Sequence, residues 1–375
     1  MRRVVSTKHR LFESIGWRHT ILAPGAKGPG EIDCGGVPLP TSGGYRIVLS
    51  RRRALRKIEA IGPDIIEVAD PYTLAWAVLD ARRRLQVPAV AFCHSDLPAI
   101  ATRLVGGPSG LATRRGRLAA RWARDYLVDL YAQFDRVLAP SRVMAERLAL
   151  WGLRNVTVQS LGVDCSVFQP NAGDSSWRSE LCTRFNLPHA TRLFVYSGRF
   201  AAEKNLPLLV DAIGLLGRGH ALVCIGAGPV PPRGPGVFVL SPEHDSRALA
   251  RAVASCDAYV HAGDQETFGL GVLEAMACGT PVVAASSGGL GELVRGAGIT
   301  VPRQRAYEWA EAMRESLDAA GSATAEAALQ RAREHDWPWI VEQLACRYTT
   351  LMRRHPLAMQ TPAPALGGPR LAPLQ

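Results

Sequence analysis

The 375-residue chain contains no run near the roughly 20 consecutive apolar residues that a membrane-spanning helix requires. Its opening, MRRVVSTKHRLFESIGW, is basic and lacks the apolar core and small-residue cleavage site of a secretory leader, so nothing points to export. Cysteine is sparse and scattered, at 34, 93, 165, 182, 224, 256, 278 and 346. No Cys-x-x-Cys pair and no Cys/His cluster at metal-ligand spacing occurs, which argues against a disulfide framework or a zinc site. Several cysteines sit inside apolar runs such as VAFCHS and LVCIGAG, where a reduced thiol behaves as a small hydrophobe, and a cytosolic compartment is the expectation. A dinucleotide fingerprint is also incomplete. IGAGPVPPRG has Gly226 and Gly228 but Pro231 in place of a third glycine, and no acidic residue ends a second strand about 20 positions on.

What is present is an ordinary globular composition, 47% hydrophobic and 21% charged, in a chain long enough for two domains with a cleft between them. Charge is the uneven part. Residues 1–150 hold 24 Lys and Arg against 13 Asp and Glu, whereas residues 151–375 hold 20 of each. A basic half beside a neutral half suits phosphates on an anionic membrane, a nucleic acid or a phosphorylated acceptor. An Arg-for-Lys bias on solvated helix faces accounts for it equally well. The Arg-rich stretches 51–57 and 114–124 carry no RNA-binding aromatic signature and fit exposed helix faces; no specific nucleic acid is expected.

Strand-like apolar runs alternate with helical patterns throughout, the mark of parallel α/β layers. HTILAP, DIIEVA, VPAVAFCH, RVLAPS and TVQSLG read as strands of the first half, with helices at 51–61, 72–86, 115–132 and 141–151. RLFVYSGR, ALVCIGAG, GVFVL, AYVHAG and PVVAAS read as strands of the second, with helices at 203–216, 245–255, 270–278, 289–295 and 305–319. The polar, turn-rich stretch before a short helix near 165–190 predicts a linker. WPWIVEQLACRYTTLMRR has the period of one amphipathic helix, and the Pro-, Ala- and Gly-rich residues 356–375 predict a disordered tail.

From Glu266 the sequence runs ETFGLGVLEAMACGTPVVAASSGGLGELV, with SGRFAAEKN upstream. Two glutamates with seven residues between them, a small-residue helix, a Gly-Thr-Pro-Val-Val strand start and a Gly-Gly-x-x-Glu turn together resemble the retaining GT-B glycosyltransferases of the family numbered four. The resemblance implies an α/β fold of two Rossmann-like domains facing a central cleft. Residues 1–165 would form the acceptor-side domain, 166–189 the linker and 190–335 the nucleotide-sugar-binding domain. A helix over 336–355 would cross back onto the first domain, around Trp337, Pro338 and Trp339.

By that resemblance Glu266 faces the donor sugar and Glu274 the ribose; eight positions separate them, about two helical turns if the helix begins early. Thr267, Phe268, Gly269 and Leu270 form a loop entering a helix, whose free N–H groups suit the donor diphosphate. Arg199 and Lys204, with Gly198, would clamp that diphosphate in place of a metal ion, and the absence of Asp-x-Asp agrees with this. His94, at a strand end, would hydrogen-bond the transferred sugar, and Asp70 and Tyr72 would line the acceptor side. Ser141 matches a strand-Ser-helix turn of the family and is equally well an N-cap. No cofactor is expected: the nucleotide sugar is substrate, and the partner is a saccharide, lipid or phosphorylated acceptor.

The expected activity is transfer of a hexosyl group from a GDP- or UDP-sugar with retention of configuration. It would take place in the cytoplasm, with peripheral contact to an anionic membrane at its inner face through the basic half. In one respect the chain departs from the family pattern. Its first residues read as the first helix running into the second strand, without the opening strand and Gly-Gly loop. Two expectations follow: an open edge beside DIIEVA, making the chain poorly soluble and weakly active, and, as a second reading, a nucleotide-sugar-binding protein with weak or no catalysis.

Overall fold

The computed structural model describes residues 2–38, 46–106, 113–318 and 322–355; the predicted tail at 356–375 lies outside them. The first half runs α1 (Arg2–Ser14), β1 (Ile21–Ala23), β2 (Glu31–Asp33), β3 (Val37–Pro38), β4 (Arg46–Ile47), α2 (Arg51–Ile61) and β5 (Ile66–Val68). It continues with α3 (Thr73–Leu85), β6 (Ala89–Phe92), α4 (Leu97–Gly106), α5 (Arg114–Tyr131), β7 (Arg136–Ala139), α6 (Arg142–Leu150) and β8 (Val156–Val158). After α7 (Ser175–Arg184) come β9 (Arg192–Ser197), α8 (Leu206–Leu216), β10 (His220–Ile225), β11 (Val237–Leu240), α9 (Ser246–Ala254) and β12 (Ala258–His261). The chain ends with α10 (Leu270–Ala277), β13 (Val282–Ala285), α11 (Gly288–Val294), β14 (Ile299–Val301), α12 (Ala306–Ser316), α13 (Ala323–Arg333) and α14 (Trp337–Arg354).

The second half is one six-stranded sheet in the order β11-β10-β9-β12-β13-β14, parallel throughout. Helices cover both faces, so its central strands bury nearly every side chain and read as continuous apolar runs. Between β9 and β12 the strand order reverses, and such a switch point leaves a crevice at the carboxyl ends of the strands.

The first half is built differently. Four parallel strands pair in the order β5-β6-β7-β8, while β1 pairs only with β2, and β3 with β4 in an antiparallel pair. HTILAP and DIIEVA, expected in one set, therefore stand in separate sheets, and β5 forms an edge. That end of the sheet is covered by α1. Phe12 is buried, and Lys8 sets its ammonium 5.5 Å from the Phe92 ring centre and 2.6 and 2.7 Å from the two carboxylate oxygens of Glu67 on β5.

The chain passes between the halves twice, at 163 and 336, and the two passages are bonded together. Val163 N donates to His335 O (2.9 Å), Trp337 N to Val163 O (3.0 Å) and Cys165 N to an Asp336 carboxylate oxygen (3.1 Å). Gly162 is required here, since a Cβ would lie 2.6 Å from the Trp337 ring. Pro338 occupies the first turn of α14, where its missing N–H costs nothing. The helix then lies on the first half: Tyr348 stacks 6.0 Å from Phe12 and donates to Glu67, and Arg347 donates to Val158 O (3.2 Å).

Sequence patterns missed α4, β14 and α13, as well as the two- and three-residue strands β2, β3 and β4. The first has Pro98 in its second position, the second is only three residues long, and the third shows a weak apolar stripe. The predicted linker contains α7 and one turn of 3₁₀ helix at Pro170–Ala172.

Candidate functional site

The crevice between β9 and β12 gathers most of the residues singled out in the sequence. At the end of β9, Gly198 has φ 149°, and a Cβ there would stand 2.9 Å from the Tyr196 hydroxyl, so the turn into Arg199 needs glycine. One 3₁₀ turn, Ala202–Lys204, then leads into α8. Lys204 is largely buried and pairs with the Glu266 carboxylate; Arg199 is well exposed and pairs with Glu203 one turn on. Both cations expected for a diphosphate thus hold carboxylates.

On the facing side, β12 ends at His261. Gly263 N donates to its Nδ1 (3.2 Å), which leaves Nε2 to carry the proton, 3.5 Å from the Glu266 carboxylate. Burial lowers the His261 pKa to about 4, so the ring is neutral at pH 7. Burial pushes Glu266 upward, but His261 and Lys204 outweigh it and hold the carboxyl below its usual range. Glu266 is therefore an anion fixed between a cation and an N–H donor.

The glycines of the motif have a packing cause. A Cβ on Gly288 would lie 2.6 Å from Glu266 O, one on Gly289 2.3 Å from Thr267 O, and one on Gly271 2.3 Å from the Tyr259 hydroxyl. Gly289 N also donates to Glu266 O (2.7 Å). The Gly-Gly turn thus seats α11 directly under the loop that carries Glu266, which no larger residue would permit.

Gly269 (φ 113°) starts α10 with no side-chain cap, so the first N–H groups of α10 keep their hydrogen-bonding capacity. Phe268 is buried below. The two glutamates are not two turns apart on one helix: α10 begins at Leu270, so Glu266 stands on the preceding loop and only Glu274 is helical. Glu274 is buried; burial raises its pKa against the opposing charge of Arg3, with which it pairs. A cavity of about 360 Å³ opens beside it, lined by Arg3, Arg10, Phe168, Arg247 and Leu270 among others.

From the first half, His94 follows β6 with its ring stacked 4.1 Å from that of Phe92; burial lowers its pKa to about 3. Its carbonyl accepts from Thr267 Oγ1 (2.8 Å), so residues 173 apart in sequence meet across the cleft, beside Glu266. Two further contacts close the cleft: Arg103 with Asp264 (3.1 Å), and Glu292, whose carboxylate accepts from Arg142 N (3.1 Å) and Val143 N (3.0 Å) at the start of α6. Ser141 is the N-cap of α6, accepting from Met144 N (3.2 Å). Asp70 and Tyr72 end β5, one strand over from His94. Tyr72 N donates to Asp70 (2.9 Å), and burial raises the pKa of both side chains.

Sequence reasoning missed His261, although it ends a strand as His94 does. It also missed the Lys8–Glu67–Tyr348 cluster, whose members lie far apart in the chain.

A family description of glycosyltransferase family 4 matches residues 1–167, and one of the glycosyl transferases group 1 matches residues 191–319. The chain belongs to the family 4, group 1 glycosyltransferases. Among similar curated proteins is a GDP-mannose-dependent alpha-mannosyltransferase of Mycobacterium tuberculosis, 34% identical over 246 residues, 64% of this chain and 60% of that protein. A GDP-mannose-dependent alpha-(1-6)-phosphatidylinositol dimannoside mannosyltransferase of the same species is 30% identical over 270 residues, 68% of this chain and 65% of that one. The matches therefore span about three fifths of the length of these curated relatives. Among solved structures, sucrose-phosphate synthase from Thermosynechococcus elongatus superposes with TM-score 0.74, covering 92% of each chain at 21% identity; the two share the two-domain GT-B fold.

Proposed function

We propose that this chain transfers a hexosyl group from a nucleoside-diphosphate sugar to a saccharide or lipid acceptor, with retention and without a metal ion. The observation that carries this reading is the Lys204–Glu266–His261 cluster joined through Thr267 to His94, beside the uncapped start of α10. GDP-mannose is the first donor to test, because relatives at 34% and 30% identity are named for it.

In this reading the donor diphosphate replaces Glu266 and Glu203 as the partner of Lys204 and Arg199, at the N-terminus of α10. The two cations neutralise the charge that grows on the leaving phosphate as the anomeric C–O bond breaks. Glu266, an anion at neutral pH, accepts from hydroxyls of the sugar, and neutral His94 supplies a hydrogen bond rather than a charge. The acceptor oxygen bonds to the anomeric carbon on the face that the diphosphate leaves, and its proton passes to a diphosphate oxygen. Glu274, on the cavity wall, takes the ribose hydroxyls. A second reading is donor binding without turnover, in which Arg3 stays on Glu274 and the ribose is left without that carboxylate.

Thermal shift with GDP-mannose and UDP-glucose, followed by release of nucleoside diphosphate in the presence of glycolipid acceptors and EDTA, separates the readings. Acceptor-dependent release that survives EDTA is expected. A stabilising donor with no turnover selects the binding reading, and a strict need for Mg²⁺ or Mn²⁺ removes the metal-free mechanism.

A further inference from the structure

Five of the exposed large apolar residues lie on α4 and α5: Ile100, Leu104, Val105, Leu118 and Trp122. Leu104 is 82% exposed and Trp122 70%, and unlike the scattered Leu49 and Leu150 these side chains are grouped on two packed helices. The two helices cross at glycines. A Cβ on Gly106 would stand 3.2 Å from Gly116 Cα, so the end of α4 touches the start of α5 and brings Leu104, Val105 and Leu118 to one tip. Leu118 and Trp122 are one turn apart on α5 and share a face.

Charge surrounds this tip. From 114 to 124 the helix carries Arg114, Arg115, Arg117, Arg121 and Arg124 and no acidic residue; the first four are exposed, and the next residue, Asp125, pairs with Arg121 (3.8 Å) and Arg124 (2.8 Å). A solvated helix face explains the arginines but not the leucines and tryptophan beside them. Apolar side chains ringed by cations fit the headgroup boundary of an anionic bilayer, where tryptophan is favoured and each nearby arginine adds attraction.

An aromatic line leads inward from the tip. Trp122 stacks on Tyr126 (5.8 Å, rings 8° apart), and the Tyr126 hydroxyl donates to Pro71 O (2.6 Å) and accepts from Trp76 Nε1 (3.1 Å). Pro71 lies between Asp70 and Tyr72. We infer that the α4–α5 tip docks on an anionic lipid bilayer, and that the acceptor is a lipid-anchored molecule of that bilayer whose hydroxyl enters beside Asp70 and Tyr72. The acceptor part rests on the proposed glycosyl transfer; the docking part does not.

The test is sedimentation of the full chain with phosphatidylcholine vesicles, with and without about 30% phosphatidylglycerol, at near-physiological salt. Binding to the anionic vesicles alone is expected. L118S/W122S and, separately, R114E/R115E should each lower the affinity roughly tenfold or more. Their thermal melts should match the parent, because the altered side chains face solvent. No sedimentation, or sedimentation that both double variants retain, overturns the inference, as does capture of a DNA oligonucleotide that the apolar substitutions abolish equally. Donor thermal shifts on the same preparations keep the two proposals apart. Donor binding without vesicle binding removes the docking surface alone, whereas vesicle binding without donor binding upholds the surface and removes the transferase reading.

Discussion

The two halves of this chain solve one architectural problem by different means. In the second, six parallel strands satisfy one another's backbone groups, and the switch point between β9 and β12 presents Gly198, Arg199 and His261 with no help from outside the sheet. In the first, the parallel strands fall into a pair and a foursome, and the end at β5 is held by side chains: Lys8 from α1 and Tyr348 from α14 converge on Glu67. A sheet completed by its own ladder does not hang its edge on any one ion pair. One closed by a buried ion pair concentrates its stability in a few residues, and this chain does so next to His94.

The sharpest way to break that comparison is Lys8→Met. It leaves Glu67 buried without its cation and should cost about 3–5 kcal/mol, read by urea denaturation, whereas Lys8→Met with Glu67→Leu should recover much of the loss. An unchanged midpoint in the single variant would show that the first sheet does not depend on the pair. Lys204→Ala tests the other half. It should lower turnover on the order of a hundredfold, about 3 kcal/mol in the transition state, and it should lower the melting temperature too, because the largely buried Glu266 loses its cation, so rates are read well below the melt. Equal rates would remove Lys204 from the site.

Acid should act on both halves at once. His94 and His261 have pKa values lowered to about 3 and about 4 by burial, below the ordinary histidine value of 6.5. Below about pH 6.5 the unfolded chain takes up protons that the native state refuses, so stability is full above that pH and declines as pH falls toward 4. The loss by pH 5 is on the order of 2 kcal/mol for each histidine. Glu67 and Glu266, held below the carboxylate range in the native state, extend the decline at lower pH. A melting temperature flat from pH 7 to 5 would contradict both burials. The smallest effect belongs to Tyr348→Phe, which removes one donor to the Glu67 carboxylate and should cost roughly 1.5–2 kcal/mol. A larger loss of activity than of stability in this variant would place α14 in the working of the cleft.

Much of the second half was legible because its signals are local. Apolar runs of four to six residues each bounded by glycine or proline gave every strand but β14, and the Glu266 to Glu292 string fixed the loop and its two helices. What stayed hidden was tertiary. Nothing in EVADPY marks Glu67 as the partner of Lys8, 59 residues earlier, or of Tyr348, 281 residues later. The helix expected at 270–278 is there as α10, but the early start that would have put both glutamates on it is not, because Gly269 takes a left-handed turn just before Leu270, a choice that spacing alone does not reveal.

Glu292 has a bearing on motion. Its carboxylate is an intramolecular ligand for the first turn of α6, tethered through the passages at 163 and 336, so its occupancy is governed by effective concentration rather than by any dissolved species. Opening the cleft would strip both the carboxylate and two backbone N–H groups of their partners at once, leaving water to replace them. The motif glutamate thus acts as a clasp whose strength is set by tether geometry, and shortening or loosening the tether would retune how often the cleft is open without altering any residue that touches the sugar.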